Sequence, residues 1–434
     1  MAILLEQVTA VTMDPARPVL PCAYVVVEGP KIRSVDTQRP QGSFDRVIDG
    51  RGKVLMPGLI NAHTHLPMTL MRGYGGGCDL QHWLNDYIFP AEDRLDSRSV
   101  LAGTQLALAE MIASGTTCVA DMYYFCDDIA QAVDQAGISA NLSRSLVCFA
   151  DQNPTQMESW KEMEALYQQW HGYDQGRILV DVSVHAEYTS FACPRLWEQA
   201  GRWAADHSCG MQVHISETQS EHQDCIGRHG ATPLQVLDRY GVWQNGGLAA
   251  HCVWVTDEDM ELMARRNITA VHNPMSNLKL ASGVARVPQL LAAGVNVTLG
   301  TDGVASNNSH DMFEEIKLAA VLHKGVQRDP TAITAGQALA MATVNGAAAL
   351  GRSTGVIAPG KDADLILVDF THPSLVPCHD VLENLVFSSC GARVEMNMAR
   401  GRIIYEKGEF LTLDLERIMG EMRTYALPHI FPDR

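Results

Sequence analysis

Apolar positions along this chain follow two periods. From the start to about residue 57, short alternating runs at 3–11, 24–27, 46–48 and 53–55 are separated by turn residues, the last run following Asp49-Gly50-Arg51-Gly52. Period-two runs bounded by glycine and aspartate predict β-strands. The same pattern returns at 363–368, 394–398 and 402–405, the last after Arg400-Gly401. Neither end holds enough strands to be stable alone, so the two are expected to pair into one small β-sandwich built from both chain ends.

Between them the pattern changes to strand-like apolar runs separated by helix-length segments, the alternation of parallel βα units. Eight strands are expected, at 59–63, 116–121, 138–146, 178–186, 210–216, 247–251, 268–272 and 295–302. Eight such units predict an α/β fold, a (β/α)8 TIM-type barrel. A helix is expected over 99–113, where Leu101, Leu106, Leu108 and Met111 supply an apolar face, and another over 414–425. The division that follows is 1–57 for the first part of the sandwich, 58–355 for the barrel, 356–412 for the second part and 413–434 for a C-terminal helix and tail.

Length and composition narrow the class. At 434 residues the chain suits one barrel-sized domain plus a smaller one. With 33 basic against 50 acidic residues, a formal charge of −17 and no long basic run, neither nucleic acid nor an anionic membrane is the expected partner. A small molecule is. No run approaches the roughly 20 apolar residues of a membrane span, and the first residues lack the basic start of a signal peptide. The 11 cysteines are an odd number without CxxC spacing, which points to neither a disulfide framework nor a thiolate zinc site. A reduced cytoplasm is the expected location.

The polar residues add the chemistry. Leu59-Ile60-Asn61-Ala62-His63-Thr64-His65 is an apolar run ending in His-X-His, and residues i and i+2 of a strand share a face. His63 and His65 can therefore reach one metal ion. His214 falls near the end of the fifth expected strand, His251 closes the sixth and Asp302 the eighth. C-terminal strand ends of a closed barrel surround a single cavity. Imidazoles with a carboxylate suit a borderline-soft divalent ion such as zinc, with a position left for water. The assigned ligands are His63, His65, His214 and Asp302. The fourth strand carries no lysine to bridge a second metal and offers His185 instead, so one ion per chain is expected. Glu217, three residues beyond His214, is either the group that moves protons at the activated water or a solvated loop acid in a run with Glu221. His251 is either a further ligand or, the preferred reading, a neighbour that orients the nucleophile and balances developing negative charge.

These residues resemble those of the amidohydrolase superfamily, and within it the adenosine-type deaminases acting on methylthioadenosine and S-adenosylhomocysteine. The resemblance runs over nearly the whole chain and rests on Pro57-Gly58-Leu59-Ile60-Asn61-Ala62-His63-Thr64-His65, Pro67-Met68-Thr69-Leu70-Met71-Arg72-Gly73, Ala250-His251-Cys252, the stretch 272–280 and the stretch 299–308. It implies metal ligands at His63, His65, His214 and Asp302, a proton-shuttling glutamate at Glu217 and a nucleophile-side histidine at His251. It also implies substrate contacts: Glu92 to ribose hydroxyls, with Arg144 and His185 lining the nucleoside pocket. From the residues alone, Glu92 and Arg94 read equally as a solvated pair, and Arg144 as a strand-end surface charge. The implied cofactor is Zn2+, with Fe2+ or Mn2+ as substitutes, and the implied assembly a homo-oligomer.

Two departures bear on the substrate. Glu187 stands where the family often has proline, which places an acid beside the expected pocket. The loop from Val147 through Trp160 has no lysine or arginine to receive a homocysteine carboxylate before Lys161. The expected reaction is hydrolytic deamination of an adenine nucleoside, whether 5′-methylthioadenosine, S-adenosylhomocysteine, adenosine or 5′-deoxyadenosine. The rivals are hydrolysis of another aromatic ring (guanine, a pterin or a chlorotriazine) and a non-catalytic scaffold of the same fold.

Overall fold

The computed structural model describes residues 1–432; the last two residues of the expected tail lie outside them. Strands of the N-terminal end, β1 (Ala2–Val11), β2 (Val19–Glu28), β3 (Lys31–Asp36), β4 (Arg46–Asp49) and β5 (Lys53–Pro57), begin a mixed sheet. Its order is completed from the other end, because β5 pairs antiparallel with a strand at Leu365–Asp369. The terminal strands thus complete each other, as their small number requires, about a core that includes Ile3, Leu5, Val25, Leu367 and Met396.

The barrel follows at once. Its strands are β6 (Leu59–Thr64), β7 (Thr116–Tyr123), β8 (Ser139–Leu146), β9 (Ile178–Val180), β10 (Val182–Val184), β11 (Met211–Ile215), β12 (Gly247–His251), β13 (Ile268–His272) and β14 (Val297–Leu299). All pairs are parallel, in the order β14-β13-β12-β11-β10-β8-β7-β6, with β9 beside β8. Each residue of β6 and of β7 is buried, polar ones included, as expected of a sheet covered on both faces. The ring closes between its last and first strands, where Thr64 bridges Asp302 and the Asp302 amide donates to the His63 carbonyl at 2.9 Å.

Several boundaries differ from the pattern-based expectation. The fourth strand is two pieces, because the chain kinks at Asp181, whose carboxylate accepts from Asn141 and Gln212 at 3.1 and 3.0 Å. The eighth ends at Leu299, and Asp302 reaches the site through a left-handed turn at φ 62°. The helix of the first βα unit runs Ser97–Ala113, started by an Asp96–Ser99 capping box. Leu108 and Met111 are buried on it as expected, but Leu101 and Leu106 are only half-buried. Among the described residues no helix is long and apolar enough to cross a membrane.

Candidate metal centre and active site

The side chains proposed from the sequence converge at the C-terminal mouth of the barrel. His63, on β6, and His65, one residue past it, have ring centroids 4.9 Å apart, and His214 on β11 lies 4.9 Å from His63 and 5.4 Å from His65. Asp302 Oδ1 is 3.2 Å from His65 Nε2 and 3.5 Å from His63 Nε2. The other oxygen, Oδ2, accepts the hydroxyls of Ser276 at 2.6 Å and Ser306 at 2.8 Å. Asp302 therefore keeps one oxygen anchored and turns the other to the histidines.

Two of the imidazoles are oriented from behind. His65 Nδ1 lies 2.6 Å from the Met122 carbonyl and His214 Nδ1 2.7 Å from the His185 carbonyl, so both donate there and turn Nε2 inward. Burial holds the His63 imidazole at about 4, below its ordinary value, and puts His214 well below its own, so both are neutral. Burial would lower His65 as well, but the Asp302 carboxylate raises it to about 9. The carboxylate favours positive charge between them.

A divalent cation fits this donor set. His63 Nε2 is buried without a hydrogen-bond partner, and the ligand atoms of His63, His65 and His214 lie within 4.8 Å of one another. Neutral imidazoles plus one carboxylate are the ligands of a catalytic zinc-type centre.

Beside it stand the candidates for proton transfer. Glu217 is 4% exposed, and burial raises its carboxyl above the usual range, against the opposing pull of His251. Its Oε2 lies 3.8 Å from His251 Nε2. His251 is fixed by Asn277, whose Oδ1 accepts from Nδ1 at 2.8 Å. Glu221 is not a solvated companion: its oxygens accept the amides of Ser216 and Glu217 at 2.9 and 2.8 Å, and burial raises it to about 8. The loop-acid alternative for Glu217 fails on that burial. Backbone strain gathers here too, with positive φ at Ser216 (49°), His251 (72°) and Asp302 (62°).

A small inner cavity of about 60 Å³ opens on these groups and is lined also by Trp83, Leu84, Tyr123, Tyr188 and Leu280. Glu92 and His185 are in its wall. Glu92 accepts the Tyr123 hydroxyl at 2.6 Å, and burial raises its carboxyl to about 7. Arg94 does not pair with it and donates instead to the Ile430 carbonyl at 3.1 Å. Arg144 lines an outer cavity of about 540 Å³ that shares Phe89, Glu92, Tyr124 and His185 with the inner one. It is 14% exposed and so is no free surface charge.

Glu187 corrects the sequence reading. The chain turns back after β10, with the Ser190 amide on the Glu187 carbonyl, and this aims the side chain away from the cavity. Fully buried, it accepts from Arg228 at 3.0 Å and His229 at 2.9 Å. Sequence reasoning assigned nothing to Ser276, Asn277 and Ser306, although all three lie within the motifs quoted. Tyr123 and Tyr188 carried no spacing signal at all.

The comparisons with known proteins agree with this geometry. A model of the Amidohydrolase family matches residues 54–404. A 5′-deoxyadenosine deaminase of Methanosarcina acetivorans is 42% identical over 426 residues, 98% of this chain and 97% of that one. A 5-methylthioadenosine/S-adenosylhomocysteine deaminase of Dictyoglomus thermophilum is 43% identical over 397 residues, covering 91% and 92%. An adenosine deaminase from Xanthomonas campestris, solved with bound zinc, superposes with a TM-score of 0.92 at 34% identity over 97% of both chains.

Proposed function

This chain belongs to the amidohydrolase family, and from that premise we propose that it is a hydrolytic deaminase of adenine nucleosides, releasing ammonia and the inosine analogue. The observation that carries the reading is the convergence of His63, His65, His214 and Asp302 beside a buried Glu217, at the floor of a cavity whose wall holds Glu92. A divalent ion held by those four ligands, zinc by donor type with iron or manganese as substitutes, supplies the Lewis acidity that makes water a nucleophile near neutral pH.

The chain's own residues do the rest. Glu217, whose carboxyl burial raises above its ordinary range, gives a proton to the ring nitrogen next to C6, which makes C6 electrophilic. Asp302 takes the proton of the attacking water through Oδ1, while Ser276 and Ser306 hold Oδ2 still. A C–O bond forms at C6, Asp302 passes the water proton to the amino group, the C–N bond breaks and ammonia leaves, while the ring nitrogen keeps its proton and the proton of the new hydroxyl returns to Glu217 as the carbonyl forms. Because the Nδ1 hydrogen of His251 is given to Asn277, a second donor on Nε2 arises only in the imidazolium, the form that balances negative charge on the attacked centre. Glu92 receives ribose hydroxyls, with His185 and Arg144 farther out. Self-association into a homo-oligomer and a cytoplasmic location belong to the same proposal; light scattering reads the first.

Ammonia release across a panel of 5′-methylthioadenosine, S-adenosylhomocysteine, adenosine, 5′-deoxyadenosine, guanine and a pterin tests the reading. Turnover of the nucleosides is expected. Turnover of a free base with each adenosine derivative inert overturns it.

A further inference from the structure

The outer cavity continues from the wall that holds Glu92, so it receives whatever the ribose carries at its 5′ position. Its surface is largely apolar: Val147 and Leu95 line it, and Phe125 and Phe149 are 41% and 70% exposed. Exposed aromatic rings at a cavity mouth are surface that an apolar group would cover.

Its charges point the same way. Among the described residues lining it, Arg144 is the one lysine or arginine, against the carboxylates of Glu92, Asp93 and Glu162. Arg144 is itself already engaged. Its Nε donates to Glu162 Oε2 at 2.5 Å, its Nη1 donates to the Ser145 carbonyl at 2.5 Å, and its guanidinium lies 4.9 Å over the Tyr124 ring. A guanidinium recognises a carboxylate best through two parallel N–H donors, and here Glu162 holds Nε, one donor of the Nε–Nη2 edge, while the Ser145 carbonyl holds Nη1. An incoming carboxylate must displace Glu162 or sit beside it, and like charges in a half-enclosed cavity repel.

We propose that Glu162, by holding Arg144, is a positioning residue that sets this enzyme's preference among 5′-substituted adenosines, favouring a small uncharged apolar substituent over one that ends in a carboxylate. The inference rests on the nucleoside-deaminase reading above. Glu162 sits on the helix Glu158–Trp170 with its side chain 49% exposed, a place where substitution leaves the fold intact.

The test is steady-state deamination of 5′-methylthioadenosine and of 5′-(2-carboxyethylthio)-5′-deoxyadenosine, the same group ended by a carboxylate, by the intact enzyme and by Glu162→Gln. The intact enzyme is expected to prefer the methylthio compound by about 100-fold in kcat/KM, and Glu162→Gln to cut that ratio by about tenfold. The change should sit in KM for the carboxylate compound rather than in kcat, because the substituent is remote from C6. Adding Arg144→Gln to Glu162→Gln should return the ratio toward that of the intact enzyme, since the freed guanidinium is what accepts the carboxylate. Equal use of both compounds by the intact enzyme, or a ratio that Glu162→Gln leaves where it was, overturns the inference while the deaminase reading stands. Ammonia from neither compound, nor from adenosine, overturns both.

Discussion

The Nε2 atoms of His65 and His214 face each other 3.3 Å apart, with both Nδ1 hydrogens committed to backbone carbonyls. Without a metal the His65 ring, whose pKa burial lowers but Asp302 raises to about 9, holds a proton at that contact; a divalent cation against both atoms takes its place, and Asp302 supplies the compensating negative charge. Chelation is therefore expected to abolish turnover and to lower the melting temperature by about 3–5 °C, through loss of a ligand bound only by the folded state. Added zinc, iron or manganese should restore both. His63→Ala and Asp302→Asn should lose turnover without unfolding the barrel. A fully active preparation free of metal by elemental analysis contradicts this.

Glu217 is buried and Glu92 half-buried, both with raised carboxyls, yet they are assigned different work. Glu217→Gln should lower kcat by about 10²-fold to 10⁴-fold with metal content and substrate affinity little changed. Glu92→Gln should act mainly on kcat/KM for nucleosides, because ribose is remote from C6. Equal losses in the two variants, or a Glu217→Gln enzyme with its full turnover number, would put the proton path on another carboxylate.

Glu92 also carries a pH signature. Burial raises its carboxyl from 4.5 to about 7 despite the hydrogen bond from Tyr123, so the folded protein holds this proton to higher pH than the unfolded chain. Its contribution to stability is full below about 4.5 and is lost as pH rises through about 7. Glu92→Gln, which still accepts from Tyr123, should therefore match the parent near pH 5 and exceed it near pH 8 by about 2 kcal/mol in urea unfolding. A difference independent of pH would mean that Glu92 is ionised throughout.

Ser276 and Ser306 both hold Asp302 Oδ2, and a residue that fixes a ligand from behind is typically worth about 10-fold to 100-fold in metal affinity or activity. Ser306→Ala should fall in that range, and the loss should appear as weaker zinc retention during dialysis against a chelator. Retention equal to the parent would leave Ser306 without this role.

Glu187 predicts the opposite pattern. Removing a fully buried carboxylate strands Arg228 and His229, so Glu187→Ala should cost about 3 kcal/mol in unfolding free energy. Arg228 keeps 28% exposure and can rehydrate, which puts the figure at the low end for a broken buried pair. Because the side chain points away from the cavity, kcat/KM at a temperature well below melting should hold. A large loss of kcat/KM with little loss of stability would return Glu187 to the pocket.

What could be read from the sequence was set by short-range geometry. Period-two runs and glycine-bounded turns mark strands because side-chain direction alternates along any extended backbone, so His63 and His65 share a face wherever β6 goes. The right number of βα units then places strand ends together, and with them His214, His251 and Asp302, because a closed parallel barrel has one mouth. Glu217 follows from its distance to His214 along the chain. The rest depends on contacts between residues far apart in sequence. That Glu92 meets Tyr123, that Arg144 is held by Glu162, and that Ser276 and Ser306 grip one oxygen of Asp302 are decided by which loops pack against which. Glu187 shows the limit most plainly: it adjoins a pocket residue in the chain, but one turn after β10 reverses its direction and a distant helix supplies the Arg228 and His229 donors that keep it buried. Local periodicity determines which face a residue takes while the backbone stays extended; past the strand end, only tertiary packing selects where the side chain points and what satisfies its charge.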